Sequence, residues 1–255
     1  MPDLAERLWD ARRRGIVLDP KEIAQPTSLE ESYAIQAEVT RLSGHAVRGF
    51  KVGSTSKEAQ QLLGTTEPAS GPILDPYMLA SPAVVPIVAA QMPAIEGEFA
   101  FRLGQDLPPR RADYTHIEVA DAVEAVAGAI ELVGTRIAGG LAGKGRFLVT
   151  ADGGVNIALV TGRWTTDWRR LDLKTHRVAM RINGKLLGQG KGARALGDPM
   201  NVLVWLANQQ SRFGRGLVAG DIVSTGTCTG LDRVAPGDGA AADFGSLGQV
   251  ELTLQ

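Results

Sequence analysis

Three glutamates stand where carboxylates are costly. In "PAIEGEFAFRL", residues 93–103, an extended chain would put Ile95, Gly97, Phe99, Phe101 and Leu103 on one face and Glu96 and Glu98 together on the other. Side chains at i and i+2 of one strand face sit only about 7 Å apart, so two like charges there need water, a cation or a basic partner between them. A third glutamate, Glu131, protrudes from "GAIELVGTRI", where Ile130 and Leu132 face the other way. Three oxygen donors with no soft ligand among them suit a hard divalent cation such as Mg²⁺. An E-x-E pair also occurs on ordinary exposed strand faces, so spacing alone leaves both readings open.

The other reactive residue types offer less. His45, His116 and His176 fall in separate segments with no ligand spacing, which fits structural or exposed roles. A single cysteine, Cys228 in "TGTCTG", excludes an intrachain disulfide and a cysteine-based zinc site, and no histidine adjoins it in sequence to activate it. The "GQGKG" run at 188–192 lacks the strand, glycine spacing and downstream acid of a dinucleotide loop and reads as a turn.

The elements that must carry these residues can be read from periodicity and caps. Leu4, Leu8 and Ala11 mark an amphipathic first helix, with Arg12 to Arg14 expected on its solvated face. In "SLEESYAIQAEVTRLSG", Ser28 and Glu31 make a capping pair, Ile35, Val39 and Leu42 one face, and Gly44 a stop. "AVRGFKVG" reads as a strand, followed by a short helix that Thr55 and Glu58 would cap. Strands are expected in "GPILDPYML", "AVVPIVAA" and "AIEGEFAFRL", and then a helix capped by Thr115 and Glu118 and carrying Val119, Val123 and Val126. Further strands are "GAIELVGTRI", "VNIALVTG", "HRVAMRINGKLLGQG" with a turn at Asn183–Gly184, "GDIVSTGTCTG" and "GQVELTLQ". Asp198, Pro199, the Val202/Leu203/Leu206 stripe and Gly214 define one more helix. The expectation is an α+β protein: a helical N-terminal segment, 1–45, before a β-rich catalytic domain, 46–255, with mostly antiparallel sheets.

Bulk properties narrow the partners. A net charge of −1 over 255 residues gives no electrostatic basis for binding nucleic acid or an acidic membrane. No run of 18 apolar residues is present, and the N-terminal "MPDLAERLWDARRRG" has no signal-peptide core, so a soluble, cytoplasmic protein is expected.

Five segments then occur in order: "GFKVGSTSKEAQQLLG" (49–64), "IEGEFAF" (95–101), "AIELVGTRI" (129–137), "GDPMNVLVWLAN" (197–208) and "GDIVSTGTCTG…VAPGD" (220–238). Together they resemble the 2-keto-4-pentenoate hydratase and 4-oxalocrotonate decarboxylase family, a branch of the fumarylacetoacetate hydrolase superfamily, over nearly the whole chain. The resemblance implies a mixed β-sandwich roll behind the helical segment and enzymes acting on 2-keto acids from aromatic-ring degradation. It places metal ligands for Mg²⁺ or Mn²⁺ on Glu96, Glu98 and Glu131. A cation there would chelate the substrate's carboxylate and 2-keto oxygen and act as a Lewis acid. It places the active-site lysine on Lys51, expected to titrate near neutral pH, and leaves Ser70, Asn156 and Thr227 as substrate-contacting candidates. A homo-oligomer, associating with a related hydratase or decarboxylase, is also implied.

Two departures from the family pattern bear on the reaction. Where "P-D-F-G" is usual this chain has "PASG", residues 68–71, so Ala69 or Ser70 replaces an acid expected to assist proton transfer. Where "A-D-N-A-S-S-G" is usual it has "ADGGVNI", which keeps Asp152 but puts Val155 and Asn156 in place of serines and points to a different substrate tail. The leading expectation is a metal-dependent hydratase or lyase of a short 2-keto acid or its dienol. Decarboxylation of a 4-oxalocrotonate-like diacid and C–C hydrolysis of an acylpyruvate are the enzymatic alternatives. A keto-acid-binding or partner-stabilising subunit is the alternative without catalysis.

Overall fold

The structure, a computed structural model, describes residues 3–255. Helix α1 (Leu4–Arg14) starts at Asp3, whose side chain accepts from the Glu6 amide, and ends at Gly15 in the left-handed conformation. Helix α2 (Leu29–Ser43) is capped by the Ser28 hydroxyl and stopped by Gly44. Its Glu31 carboxylate reaches back one residue further than a capping box requires, to the Thr27 amide and hydroxyl. Strand β1 (Val47–Gly53) follows, then α3 (Lys57–Leu63), capped by Ser56 and not by the expected Thr55. Next come β2 (Ala69–Leu74), β3 (Met78–Ala80), β4 (Ala83–Val85) and β5 (Ala94–Leu103).

Helix α4 (His116–Ala122) has the complete Thr115–Glu118 capping box but is shorter than its apolar spacing predicts. Val123 and Val126 already belong to β6 (Val123–Val133), because β-branched residues in a segment that pairs with β5 along its whole length gain more from the sheet than from another helical turn. Helix α5 (Gly145–Ala151), which no cap announces in the sequence, leads into β7 (Asn156–Thr161). The hairpin β8 (Arg177–Ile182) and β9 (Lys185–Lys191) turns at Asn183–Gly184, both with positive φ. Helix α6 (Pro199–Phe213) is capped by Asp198 and buries Val202, Leu203 and Leu206. The chain closes with β10 (Ile222–Ser224), β11 (Asp232–Arg233), β12 (Gly239–Asp243) and β13 (Gln249–Leu254).

Two sheets result. One runs β2-β1-β10-β5-β6-β7-β3, with β11 added beside β5; the other runs β4-β13-β12-β8-β9. Three pairs, β1 with β10, β13 with β4 and β3 with β7, are parallel, and the rest are antiparallel. The core lies between the sheets, where Ile95, Phe99, Phe101 and Leu103 of β5 meet Val178, Met180, Val250 and Phe244. Phe99 and Phe244 pack edge to face with centroids 5.6 Å apart. Glu96 and Glu98 therefore point away from this core, as alternation requires.

The N-terminal helices form a second apolar cluster, in which Leu8, Ala11, Ile35 and Val39 pack with Leu148 and Ala151 of α5. Arg13 and Arg14 are exposed as expected, but Arg12 is turned inward. Its guanidinium lies 3.8 Å from the Tyr77 ring centroid and donates to the main-chain oxygens of Asn156 and Ile157 at 2.6 and 2.8 Å. The helix accommodates one such inward cation because carbonyls at the start of β7 receive it.

Candidate active site

Pairing register brings the site together. Glu96 on β5 lies directly opposite Glu131 on β6, and Glu98, two residues along, shares their face. β10 separates β1 from β5, with Lys51 paired to Ser224 and Ser224 to Ala100, so Lys51 and Ser224 also project on that side. One carboxylate oxygen from each of Glu96, Glu98 and Glu131 falls within 4.8 Å of the others. Lys51 Nζ donates to Glu131 Oε2 at 2.9 Å, and both side chains are almost completely buried.

The donors around these carboxylates are few. Glu98 Oε2 accepts from the Ser224 hydroxyl and from the Gly226 amide at 2.8 Å, while its Oε1 is buried without a partner. Glu131 Oε1 accepts from Asn156 Nδ2 at 2.9 Å. Burial drives the Glu98 carboxyl well above the ordinary carboxylate range, and Glu131 and Glu96 push it in the same direction. Glu96, which borders open space, is raised to about 7 by burial and by Glu131, with Lys51 opposing. Burial lowers Lys51, but Glu131, Glu98 and Glu96 outweigh it and hold the ammonium above its usual value. Without further positive charge Lys51 thus stays charged.

An orphaned carboxylate oxygen among three acids, two of them fully buried, with one ammonium is a donor set short of positive charge. Three oxygen ligands and no soft atom fit a hard divalent cation, which Glu96, Glu98 and Glu131 could hold.

Two glycines shape the floor. A Cβ on Gly154 would lie 2.9 Å from Lys51 Cδ, so the lysine stem runs where any other residue would stand. Gly226, with φ of 83°, would place a Cβ 2.0 Å from Thr55 Oγ1, which would displace the amide that holds Glu98.

A cavity of about 210 Å³ opens over the cluster, lined by Lys51, Glu96, Ala69, Thr227 and, further out, Leu62, Leu63, Leu141 and Val149. Thr227 Oγ1 bonds to the Gly230 amide and carbonyl at 2.8 and 3.0 Å while facing this space. Ser70 does not reach it: adjacent residues of β2 face opposite ways, so Ala69 lines the cavity and Ser70 Oγ donates to Gln209 Oε1 of α6 at 3.3 Å. Asn156 lies behind Glu131 and orients that carboxylate, leaving no side-chain nitrogen evident toward the cavity. Asp152, kept from the family pattern, pairs with Arg136 at 2.5 Å away from the cluster. Ser224 and Gly226 were not singled out from the sequence; the only available signal was the parity of Ser224 along β10, useful once its neighbour β5 is known.

Comparison with known proteins agrees with this architecture. The family model for the fumarylacetoacetate (FAA) hydrolase C-terminal region matches residues 56–255. The 2-keto-4-pentenoate hydratase of Paraburkholderia xenovorans is 34% identical over 99% of this chain and 94% of its own length. The 2-hydroxyhexa-2,4-dienoate hydratase of Comamonas testosteroni is 34% identical over 91% of this chain and 89% of its own. Among solved structures, 4-oxalocrotonate decarboxylase from Pseudomonas putida G7, complexed with magnesium and adipate, aligns with a TM-score of 0.88 over 99% of this chain and 96% of that one, at 26% identity. With the fold, the family match and full-length relatives in agreement, this chain belongs to the fumarylacetoacetate hydrolase family.

Proposed function

We propose that the chain is a divalent-cation-dependent lyase acting on a short 2-keto acid or its dienol form, with Glu96, Glu98 and Glu131 as the metal ligands and Lys51 as the proton-carrying group. The observation that carries this reading is the convergence of three carboxylates, one with an orphaned buried oxygen, beside a buried ammonium at the floor of a cavity. A divalent cation such as Mg²⁺ held by these three glutamates would supply Lewis acidity toward the 2-keto acid. Lys51 holds a proton at Nζ, in reach of Glu131, and exchanges it with substrate carbon or oxygen as keto and enol forms interconvert. Asn156 and the Ser224–Gly226 pair fix the carboxylate planes, so the ligand set is preorganised. Thr227 contacts the substrate from the cavity wall.

Hydration is the reaction of the hydratases it matches, and decarboxylation is favoured by one specific observation. Ala69 presents a methyl group to the cavity where an acid was expected, and decarboxylation of a 2-keto diacid needs no activated water. Incubating the Mg²⁺-loaded protein with 2-hydroxypenta-2,4-dienoate, a 4-oxalocrotonate and an acylpyruvate separates the reactions: water addition, CO₂ release, or pyruvate plus a free acid. Mg²⁺-dependent pyruvate binding with no turnover of any of them would make the chain a keto-acid-binding protein instead.

A further inference from the structure

The outer half of the cavity has a cation that the proposed chemistry does not use. Arg146, the second residue of α5, lines it together with Leu62, Leu63, Leu141 and Val149. Its Nε is buried without a partner, and its Nη2 has only Glu67 Oε2 at 3.5 Å, a carboxylate that is 66% exposed. Arg194 lines the same cavity and is as weakly countered, with its Nε also buried without a partner and its Nη2 3.7 Å from an exposed Glu58 carboxylate, but it sits over Gly230 and its charge acts on Glu96, which assigns it to the metal-binding end. A guanidinium among leucine and valine side chains, weakly countered by a solvated acid, is poorly matched to a hydrocarbon tail. It is well matched to a second carboxylate, which it can grip with two parallel N–H donors.

We propose that Arg146 is the specificity-determining residue for the far end of the substrate, and that it selects a 2-keto dicarboxylic acid over a 2-keto acid with an alkyl tail. The inference rests on the reading of Glu96, Glu98, Glu131 and Lys51 as the keto-acid head site. Glu67, 3.5 Å from Arg146 Nη2, then competes with a diacid for Arg146 and must release it when the diacid enters. That competition sets opposite signs for changes at the two residues, which a merely structural ion pair would not show.

Calorimetric titration in Mg²⁺ with 2-oxoadipate and 2-oxohexanoate, six-carbon acids differing only in a terminal carboxylate, tests it, with pyruvate as the head-group control. The unaltered protein should bind 2-oxoadipate about 10- to 100-fold tighter than 2-oxohexanoate, the range for one charge-assisted pair. Arg146→Met should erase that preference and leave 2-oxohexanoate and pyruvate within about 3-fold of their original affinities, while Glu67→Gln should tighten 2-oxoadipate alone. Arg146→Lys, which keeps charge without the planar fork, should fall between. Equal affinity for the two acids in the unaltered protein, or equal weakening of both by Arg146→Met, overturns the assignment while pyruvate binding stands. Loss of Mg²⁺-dependent pyruvate binding in the unaltered protein removes the head-site reading and the tail assignment with it.

Discussion

Two buried ionic clusters lie within a few residues of each other in this protein, and they are built on opposite principles. Around Asp152 every bond is made: its Oδ2 accepts from the Thr135 hydroxyl and the Arg136 amide, its Oδ1 from Arg136 Nε, and Arg136 Nη1 reaches the carbonyls of Gly134 and Asn156. Around Glu98 the bonding is incomplete, with one oxygen unpartnered and three carboxylates sharing one ammonium. A satisfied buried pair braces the chain; an under-neutralised one is held ready for an added positive charge. Asn156 joins the two, with its carbonyl in the brace and its amide on Glu131.

The comparison breaks most sharply at Glu98. Glu98→Gln should lower turnover by more than about 10³-fold, since a neutral amide is a poor ligand for a hard cation and the substrate's charge develops where that cation would sit. The same variant should melt at or above the metal-free parent, because one of three facing carboxylates has gone and an isosteric amide keeps the bond to the Gly226 amide. Chelator-resistant turnover in the parent protein would refute the metal role. Next, Lys51→Met should cost about 10²- to 10⁴-fold in turnover with Mg²⁺ binding retained, the range for one acid–base group. Lys51→Arg should be similarly poor, because guanidinium does not release its proton. Near-normal rates for Lys51→Arg would make the residue an electrostatic clamp.

The brace should respond in stability and not in chemistry. Arg136→Met leaves Asp152 buried without its countercharge and should cost about 3–5 kcal/mol by denaturant unfolding. A loss below about 1 kcal/mol would show that the two clusters do not differ in kind. The smallest effect expected is a pH dependence of the metal-free fold. Glu96 rises from 4.5 to about 7 on folding, so between those values the native state keeps a proton that the unfolded chain releases. Stability must then fall as pH climbs through that window, and Glu98 extends the decline upward. Melting in chelator should be higher at pH 5 than at pH 7.5, with Mg²⁺ giving its larger gain at pH 7.5. A metal-free melting point that rises across this range would contradict the buried-carboxylate reading.

How much of this was legible in the chain depends on how local each cause is. Caps and stripes within a few residues placed α2 and α6 nearly to the residue, because Ser28, Asp198 and Pro199 act on amides of their own first turn. Strand parity put Glu96 and Glu98 on one face away from Phe99 and Phe101 and marked Glu131 as a lone acid in an apolar strand, and the family resemblance singled out Lys51. Competition between elements was not legible. Val119, Val123 and Val126 have helical spacing, yet only Val119 is helical, since pairing with β5 claims the others. The family pattern put Ser70 and Asn156 toward the substrate, and one faces α6 while the other supports Glu131 from behind.

From its own residues the chain determined which groups could do chemistry and on which side of their strands they stand, because alternation and capping are properties of the local backbone. Tertiary structure alone decided that Glu96 faces Glu131 across a strand pair, that β10 arrives from the far end of the sequence to seat Lys51 two strands from β5, and that Arg12 turns inward while Arg146 lines the cavity. Register and sheet order are set by burial and by hydrogen-bond partners distant in sequence, and no local rule encodes them.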